Sequence, residues 1–181
     1  GARLYVDANG AYPFEEAADY VRAMAEEGVE VVEDPSPLSP DGAFQALQRD
    51  AGLPLLVDFG MASTRDARLF LERGASILSA KPGRFGFSDA LAMRDLATQA
   101  RAGTVAGLMG ESAMGTWSGL QFAATLPAGS LPAELSWFLS MREQYAGHVP
   151  AIVDGVVALP ETPSVAELVD WEAMKDFKVP S

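Results

Sequence analysis

Three carboxylates follow apolar runs at regular intervals in the first third of the chain. Asp7, Glu33 and Asp58 come directly after "LYV", "VEVV" and "LPLLV", so that their positions differ by 26 and 25. Carboxylates gathered in one half-buried place repel one another, and a divalent cation removes that conflict. Oxygen ligands favour Mg²⁺, with Mn²⁺ as the alternative, over zinc. The spacing therefore predicts a metal site made by these three residues.

A lysine follows the next apolar run at a similar interval. Lys81 comes 23 positions after Asp58 and ends the apolar run "ASILSA". A lysine side chain beside a cation can accept or donate a proton, which makes Lys81 a candidate acid/base. Taken alone it would more often extend to solvent or neutralise acids, and a single Asp after a strand is more often a turn former. The shared phase of all four residues favours catalysis.

The elements that would position these residues alternate between strand and helix. Ser39 with Pro40 after it, and Ser63 or Thr64, are the expected N-caps, and Gly28 should end its helix. Continuously apolar strands are typical of a parallel sheet covered by helices, whose strands open on one face at their carboxyl ends. The predicted strands are 4–9, 29–35, 54–60, 75–81 and 104–110, and the predicted helices are 13–28, 39–52, 63–74, 88–103 and 115–127.

Length and charge restrict the class of protein. The chain has 181 residues, 49% of them hydrophobic, and no linker divides it, so we expect one domain over 1–181. A formal net charge of −12 argues against nucleic acid as a partner. No apolar run approaches the roughly 20 residues of a membrane helix. Cysteine is absent, which leaves the compartment open, and a cytoplasmic location is the default expectation.

The chain is less regular after Pro127. We expect a short strand and a helix within 133–147, a hairpin turning at Asp154-Gly155, and a terminal helix, with 150–181 acting as a return segment. Five strand–helix units do not close an eight-stranded barrel by themselves. An open doubly wound sheet is the alternative, but no glycine-rich phosphate loop follows the first strand.

The motifs decide between these folds. "VDANG", "VEDP", "VDFGMAST", "AKPGRFG", "GLMGESAMGT" and the tail "PSVAELVDWEAM" over 163–174 resemble the enolase superfamily, in its mandelate racemase and muconate lactonizing enzyme branch. The resemblance covers nearly the whole chain. It implies a partial TIM-type (β/α) barrel of roughly strands three to eight, without the first two strands and without the N-terminal capping domain.

The resemblance also assigns a site. It implies that Asp7, Glu33 and Asp58 bind Mg²⁺ and that Lys81 is the acid/base residue. The implied reaction is removal of the proton α to the carboxylate of a small substrate, through an enediolate, in a racemase, epimerase or cycloisomerase.

Further positions support that implied site. Asn9 and Arg84 match family positions that support the metal and the lysine. Glu111 is expected to contact the substrate or to lie behind a residue that does. All three are therefore secondary candidates beside the four residues of the metal and acid/base group.

Several positions depart from the family pattern. Phe59 stands where the family has an acidic residue, and Phe87 replaces the second glycine of an R-x-G-G motif. The family's second base lies just before "VDAN", whereas this sequence starts at Gly1. We therefore expect a longer polypeptide, or a homo-oligomer or partner chain that covers the missing barrel wall, and impaired two-base racemisation in the chain alone.

Two other functions remain open at this stage. "GESAMG" with Ser112 and the single histidine, His148, would suit a serine hydrolase, but Met114 replaces the second glycine of G-x-S-x-G. No aspartate lies between Ser112 and His148, although Glu134 and Glu143 do. A non-catalytic relic or interaction module that keeps the fold is the other alternative.

Overall fold

The computed structural model describes residues 3–162 and 164–177, so the ends of the expected domain 1–181 and Pro163 of the tail motif lie outside the described residues. Five parallel strands form one sheet in the order β1-β2-β3-β4-β5. β1 to β4 lie within stretches predicted to be extended, whereas β5 begins one residue before its predicted strand, at Gly103, which was expected to end the preceding helix. The strands are β1 Tyr5–Asp7, β2 Val31–Glu33, β3 Leu55–Val57, β4 Ile77–Ala80 and β5 Gly103–Ala106.

Helices connect the strands, as the alternating pattern predicted. Gly28 has a positive φ of 83° just after the first helix, and Ser63 accepts a hydrogen bond from the N–H of Asp66 as an N-cap. The prediction that Ser39 is the N-cap of the second helix is wrong. Asp41 caps this helix, because its side chain accepts hydrogen bonds from the N–H groups of Ala43 and Phe44. The helices are α1 Phe14–Glu26, α2 Gly42–Asp50, α3 Thr64–Glu72, α4 Pro82–Ala100 and α5 Ala113–Ala123.

Helix α4 begins six residues earlier than the sequence pattern indicated. Pro82 occupies its first turn directly after Lys81, a position where proline needs no hydrogen-bond donor. Gly86 then interrupts the helix with φ of 75° and ψ of 166°, a conformation that glycine adopts without strain. The helix therefore carries Arg84 on a short first segment next to the end of β4.

The two faces of the sheet bury different sets of side chains. All five helices pack on one face, where Val32, Val57 and Leu78 lie in a single core cluster with helical side chains. On the other face, a smaller cluster packs with Leu131, and its members are Val31, Leu56, Ile77 and Val105. Because side chains alternate along a strand, Glu33, Asp58 and Lys81 continue the side of this smaller cluster.

After α5, the described residues up to 162 and from 164 to 177 form no α-helix. The N–H of Glu134 donates to the carbonyl of Ala106 across 2.9 Å, so this segment runs beside β5. The strand and helix expected in 133–147 are replaced by a 3₁₀ turn and an isolated bridge, and the terminal helix by two 3₁₀ turns. Asp154 and Gly155 form the predicted turn, with positive φ angles of 50° and 76°. The 3₁₀ turns are Trp137–Ser140, Val165–Leu168 and Ala173–Phe177.

No helix within residues 3–162 and 164–177 is long and apolar enough to cross a membrane.

Candidate active site

The predicted acids and lysine meet in one cavity of about 490 Å³ at the carboxyl ends of the strands. Six of the seven site residues named from the sequence line it, and Glu111 does not. Five further residues complete the wall, two of them large and aromatic. The cavity is lined by Asp7, Asn9, Glu33, Asp58, Phe59, Lys81, Arg84, Leu108, Met109, Glu134 and Trp137.

Strand register brings the carboxylates together. Asp7 and Glu33 are direct partners in the pairing of β1 with β2, and Glu33 pairs with Leu56 two residues before Asp58. Parallel strands at this spacing hold equivalent positions about 5 Å apart. The regular spacing of the three acids in the sequence therefore places their carboxylates in a row along the carboxyl ends of adjacent strands.

Asp58 is the most heavily bonded of the three acids. Nζ of Lys81 lies 2.5 Å from its Oδ2, and Nη1 of Arg84 lies 2.9 Å from its Oδ1. Arg84 also donates to the backbone carbonyl of Asp58 across 3.1 Å. Asp58 is only 2% exposed and Lys81 7%, so little water screens this pair. Both cations are thus fixed by one buried carboxylate.

Asp34 holds the end of β3 in place. Its carboxylate accepts hydrogen bonds from the N–H of Asp58 at 3.2 Å and from the N–H of Phe59 at 2.7 Å. Its own backbone has a positive φ of 35°, which aspartate tolerates better than most residues. Burial raises the pKa of Asp34 to about 6, although these two hydrogen bonds oppose the rise. Asp34 could have been taken for a local cap, but it binds the neighbouring strand.

The cavity contains more acidic than basic side chains. Burial, together with Glu134 and Asp58, raises the pKa of Glu33 to about 9, and Lys81 offsets this only in part. Burial also raises the pKa of Asp7, and the charge of Asp58 adds to that rise. A cation that binds between carboxyl groups with raised pKa values stabilises their ionised form.

The carboxylate oxygens are close enough to share a metal ion. Glu33, Asp34 and Asp58 each offer one oxygen within 4.8 Å of the others, and all three side chains are buried. Asp7 is not in this group, but it lines the same cavity on the adjacent strand. Oxygen donors that are buried and short of positive charge fit a hard divalent cation such as Mg²⁺.

Glu134 is a cavity residue that sequence reasoning did not place in the site. It lies on the irregular segment beside β5, where Tyr5 donates a hydrogen bond to its carboxylate. Burial raises its pKa, and the charges of Asp7 and Asp58 add to the rise. The other acids were predicted because each follows an apolar strand at a regular interval. No apolar strand pattern precedes Glu134, so this criterion could not identify it.

Glu111 and the two hydrolase candidates lie elsewhere. Glu111 accepts the N–H of Met109 across 2.8 Å and lines a separate cavity of about 280 Å³. Ser112 donates to the hydroxyl of Tyr145 across 3.3 Å rather than to His148, whose backbone carbonyl accepts from Trp117. Glu111 therefore supports the loop that carries Met109, and neither Ser112 nor His148 lines the carboxylate cavity.

A site at the carboxyl ends of parallel strands is typical of (β/α)-barrel domains. The family model for enolase C-terminal domain-like proteins matches residues 1–172, and the chain belongs to that family. It falls in the mandelate racemase and muconate lactonizing enzyme branch of the enolase superfamily, as its motifs predicted.

Known relatives are longer than this chain. A chloromuconate cycloisomerase of Cupriavidus necator is 31% identical over 145 residues, which are 78% of this chain and 39% of that protein. An L-Ala-D/L-Glu epimerase of Thermotoga maritima is 28% identical over 126 residues, or 68% of this chain and 36% of the relative.

A solved structure gives the same picture. The muconate lactonizing enzyme from Klebsiella pneumoniae superposes with a TM-score of 0.89 at 26% identity, over 99% of this chain and 51% of that one. The chain thus spans about half the length of such relatives, or less, and the observed sheet is a partial barrel.

Proposed function

We propose that this chain carries the proton-transfer site of an enzyme that removes the proton α to the carboxylate of a small substrate. The reaction is of the racemase, epimerase or cycloisomerase type, with Lys81 as the acid/base residue and with Asp7, Glu33 and Asp58 holding Mg²⁺ or Mn²⁺. The names of two relatives, a cycloisomerase and an epimerase, support this class. Because the relatives are about twice as long, the activity is proposed for the whole protein.

The observation that carries the proposal is the position of Lys81. Its amino group lines the cavity, is almost fully buried and is directed by one hydrogen bond to Asp58 across 2.5 Å. A buried amine held in a fixed direction can pass a proton to or from a molecule bound in front of it. Asp58 therefore orients the amino group of Lys81 within the cavity.

The carboxylates supply the second requirement. Mg²⁺ bound by them would place positive charge beside the substrate carboxylate and so ease loss of the α-proton. The raised pKa values of Glu33 and Asp7 support such a role, since these groups ionise more readily next to a cation. The chain's own part is to hold the oxygens of Glu33 and Asp58 buried and close together before the cation binds, while Asp7 lines the same cavity.

Neighbouring residues hold the proposed ligands in place. The N–H of Asn9 donates to Oδ1 of Asp7 across 2.7 Å, and Arg84 binds both the carboxylate and the backbone carbonyl of Asp58. Arg84 is thus a positioning residue for Asp58 and, through it, for Lys81. Glu111 has a similar supporting part for the loop that contains Met109.

Calorimetric titration of Mg²⁺ tests the metal site. We expect heat of binding in the wild type and its loss in Glu33→Gln, which removes the charge and keeps the shape. Glu30→Gln is the matched control, because Glu30 is exposed and pairs with Arg3 outside the cavity. Binding that is equal in wild type and Glu33→Gln would contradict the metal site.

Proton exchange in D₂O tests the chemistry. Incorporation of deuterium at the α-carbon, followed by NMR over a panel of amino-acid, dipeptide and hydroxy-acid carboxylates, should occur in the wild type and stop in Lys81→Ala. The panel is run both with this chain and with any longer protein that contains it. Exchange that persists in Lys81→Ala would contradict the role of this lysine, and failure of every carboxylate in both proteins would favour the non-catalytic alternative.

The open edge of the sheet supports a partner for this domain. β1 is an edge strand, and its first residue Tyr5 and the preceding Leu4 are exposed. Unpaired strand edges with apolar neighbours are usually covered. We propose that another strand-forming segment, from the same protein or from a second copy, packs there. Light scattering on the purified chain tests the second possibility, for which a dimer is expected.

A further inference from the structure

Part of the cavity wall is apolar although its deeper part is charged. Glu33, Asp58 and Lys81 are buried, whereas Phe59, Met109 and Trp137 line the same cavity and are 57%, 48% and 49% exposed. The apolar side chains therefore surround the opening of the cavity, above the charged groups. We refer to Phe59, Met109 and Trp137 as the apolar rim.

Phe59 is fixed by the residues that organise the charged part. Asp34 accepts its backbone N–H across 2.7 Å, and the guanidinium group of Arg84 lies 5.8 Å from the centre of its ring. That guanidinium group also binds the carboxylate of Asp58. A cation at this distance from an aromatic ring attracts it, so the ring is held in register with Asp58.

Trp137 is fixed from the opposite side. Gly110 has a positive φ of 84°, and a Cβ added there would lie 3.5 Å from Nε1 of the indole. The indole therefore packs against the backbone of Gly110, next to Met109. Its neighbour Phe138 is 2% exposed and anchors the 3₁₀ turn Trp137–Ser140 in the core. Phe59 and Trp137 thus each contact a neighbouring group that limits where the ring can lie.

The charges of the cavity restrict what can lie between these rings. Lys81 and Arg84 are the basic residues among those that line it in the described part of the chain, and both already bind Asp58. A second carboxylate on the substrate would face Glu134 without a free cation to bind it. An apolar group would instead cover exposed aromatic surface, which is favourable.

We propose that the apolar rim binds an aromatic or large aliphatic group of the substrate, so that the site takes monocarboxylates with an apolar side chain. This inference rests on the proposed function, which places the substrate carboxylate beside the acids and Lys81. It also explains a departure from the family pattern, because Phe59 stands where the family has an acidic residue. An aromatic ring there removes one more negative charge from the opening.

Calorimetric titration of two matched acids, lactate and 3-phenyllactate, tests the proposal in the presence of Mg²⁺. The acids differ only by the phenyl group. We expect the wild type to bind 3-phenyllactate at least about tenfold more tightly, since a single apolar group in a pocket is worth roughly that ratio. Phe59→Ala and Trp137→Ala should each reduce the ratio severalfold and leave the affinity for lactate nearly unchanged.

Phe87→Ala is the matched control, because Phe87 is also an exposed phenylalanine but lines a different cavity. It should keep the wild-type ratio, and circular dichroism should show that all three variants fold. Equal affinity for the two acids, no binding of either, or a ratio unchanged in Phe59→Ala and Trp137→Ala would overturn the proposal. The last of these results would indicate that the rim is covered by another segment of protein.

The same acids separate this proposal from the function on which it rests. If both acids exchange their α-proton but bind with equal affinity, the function stands and the apolar preference fails. If the ratio of affinities depends on Phe59 and Trp137 but neither acid exchanges, the binding preference stands and the proton-transfer function fails for these compounds. Lys81→Ala should abolish exchange and keep the ratio.

Discussion

Nζ of Lys81 lies 2.5 Å from Oδ2 of Asp58, and both side chains are almost fully buried. The same distance separates Lys175 from Glu172, but there both side chains are exposed. An exposed ion pair contributes about 0–1 kcal/mol because water screens it. Removing one member of a buried pair leaves a charge without its partner and costs more. Burial, rather than distance, therefore decides how much each lysine contributes to stability.

Replacing Lys81 by methionine should lower the free energy of unfolding. Arg84 remains beside Asp58 and compensates in part, so we expect a loss of about 1–3 kcal/mol, the usual cost of a buried group that loses its partner. Lys175→Met, the matched control, should cost less than about 1 kcal/mol. Urea unfolding followed by circular dichroism measures both values. Equal losses in the two variants would contradict the importance of burial.

Glu33 should make stability depend on pH. Its pKa is raised from 4.5 to about 9 in the folded chain, mainly by burial. Between these values the folded state holds a proton that the unfolded state releases, so stability falls as the pH rises through this window. The slope is at most about 1.4 kcal/mol per pH unit. Glu33→Gln cannot ionise and should be more stable than the wild type at pH 8, with the difference vanishing near pH 4.5.

That measurement is made with EDTA present, by urea unfolding at pH 5, 6.5 and 8. Glu30→Gln, on the exposed pair with Arg3, should leave the wild-type dependence on pH unchanged. In a second series without EDTA, added Mg²⁺ should stabilise the wild type more than Glu33→Gln, because a ligand that binds only the folded state raises its stability. Parallel curves for the wild type and Glu33→Gln would contradict the raised pKa.

The charged part of the site could be predicted because it follows from strand periodicity. Asp7, Glu33, Asp58 and Lys81 each end a recognisable apolar run, and parallel strands bring such positions to one face. The alternation of side chains then places them on the side of the small apolar cluster. Their presence in one cavity confirms that geometry, while their roles in metal binding and catalysis stay predictions.

The rest of the site depends on contacts that no local pattern encodes. Glu134 lies on an irregular segment, and hydrogen bonds to the carbonyl of Ala106 and from the hydroxyl of Tyr5 bring it to the cavity. Asp34 could be read as a local cap, but its partners are the N–H groups of Asp58 and Phe59, more than twenty positions away. The N-cap of α2 is Asp41 and not the predicted Ser39. Serine and aspartate are both good N-cap residues, so the sequence alone does not choose between two candidates that lie so close together.

Gly107 should be needed for the position of Lys81. A Cβ at Gly107 would lie 2.6 Å from Cε of Lys81 and still closer to the buried hydroxyl of Ser79, so one of the side chains would have to move. We expect Gly107→Ala to lower the free energy of unfolding by about 1–3 kcal/mol, as overpacking does, and to slow proton exchange. Gly42→Ala is the control, since a Cβ at Gly42 meets nothing within 4 Å. Normal stability and exchange in Gly107→Ala would show that Lys81 can move without consequence.

Asp34 should control both the stability of the domain and the affinity for Mg²⁺. Asp34→Ala leaves the N–H groups of Asp58 and Phe59 without their acceptor, and each unsatisfied buried donor costs about 1–3 kcal/mol. Asp34→Asn should lose less stability than Asp34→Ala, because an asparagine side chain keeps one acceptor oxygen and the residue tolerates a positive φ. Loss of these hydrogen bonds should let the end of β3 move, so that Asp58 and Lys81 are no longer aligned. We therefore expect weaker Mg²⁺ binding in both variants. Urea unfolding and calorimetric titration on the same samples separate the two effects. If Asp34→Ala unfolds at the wild-type urea concentration, the bond between β2 and β3 does not support the site.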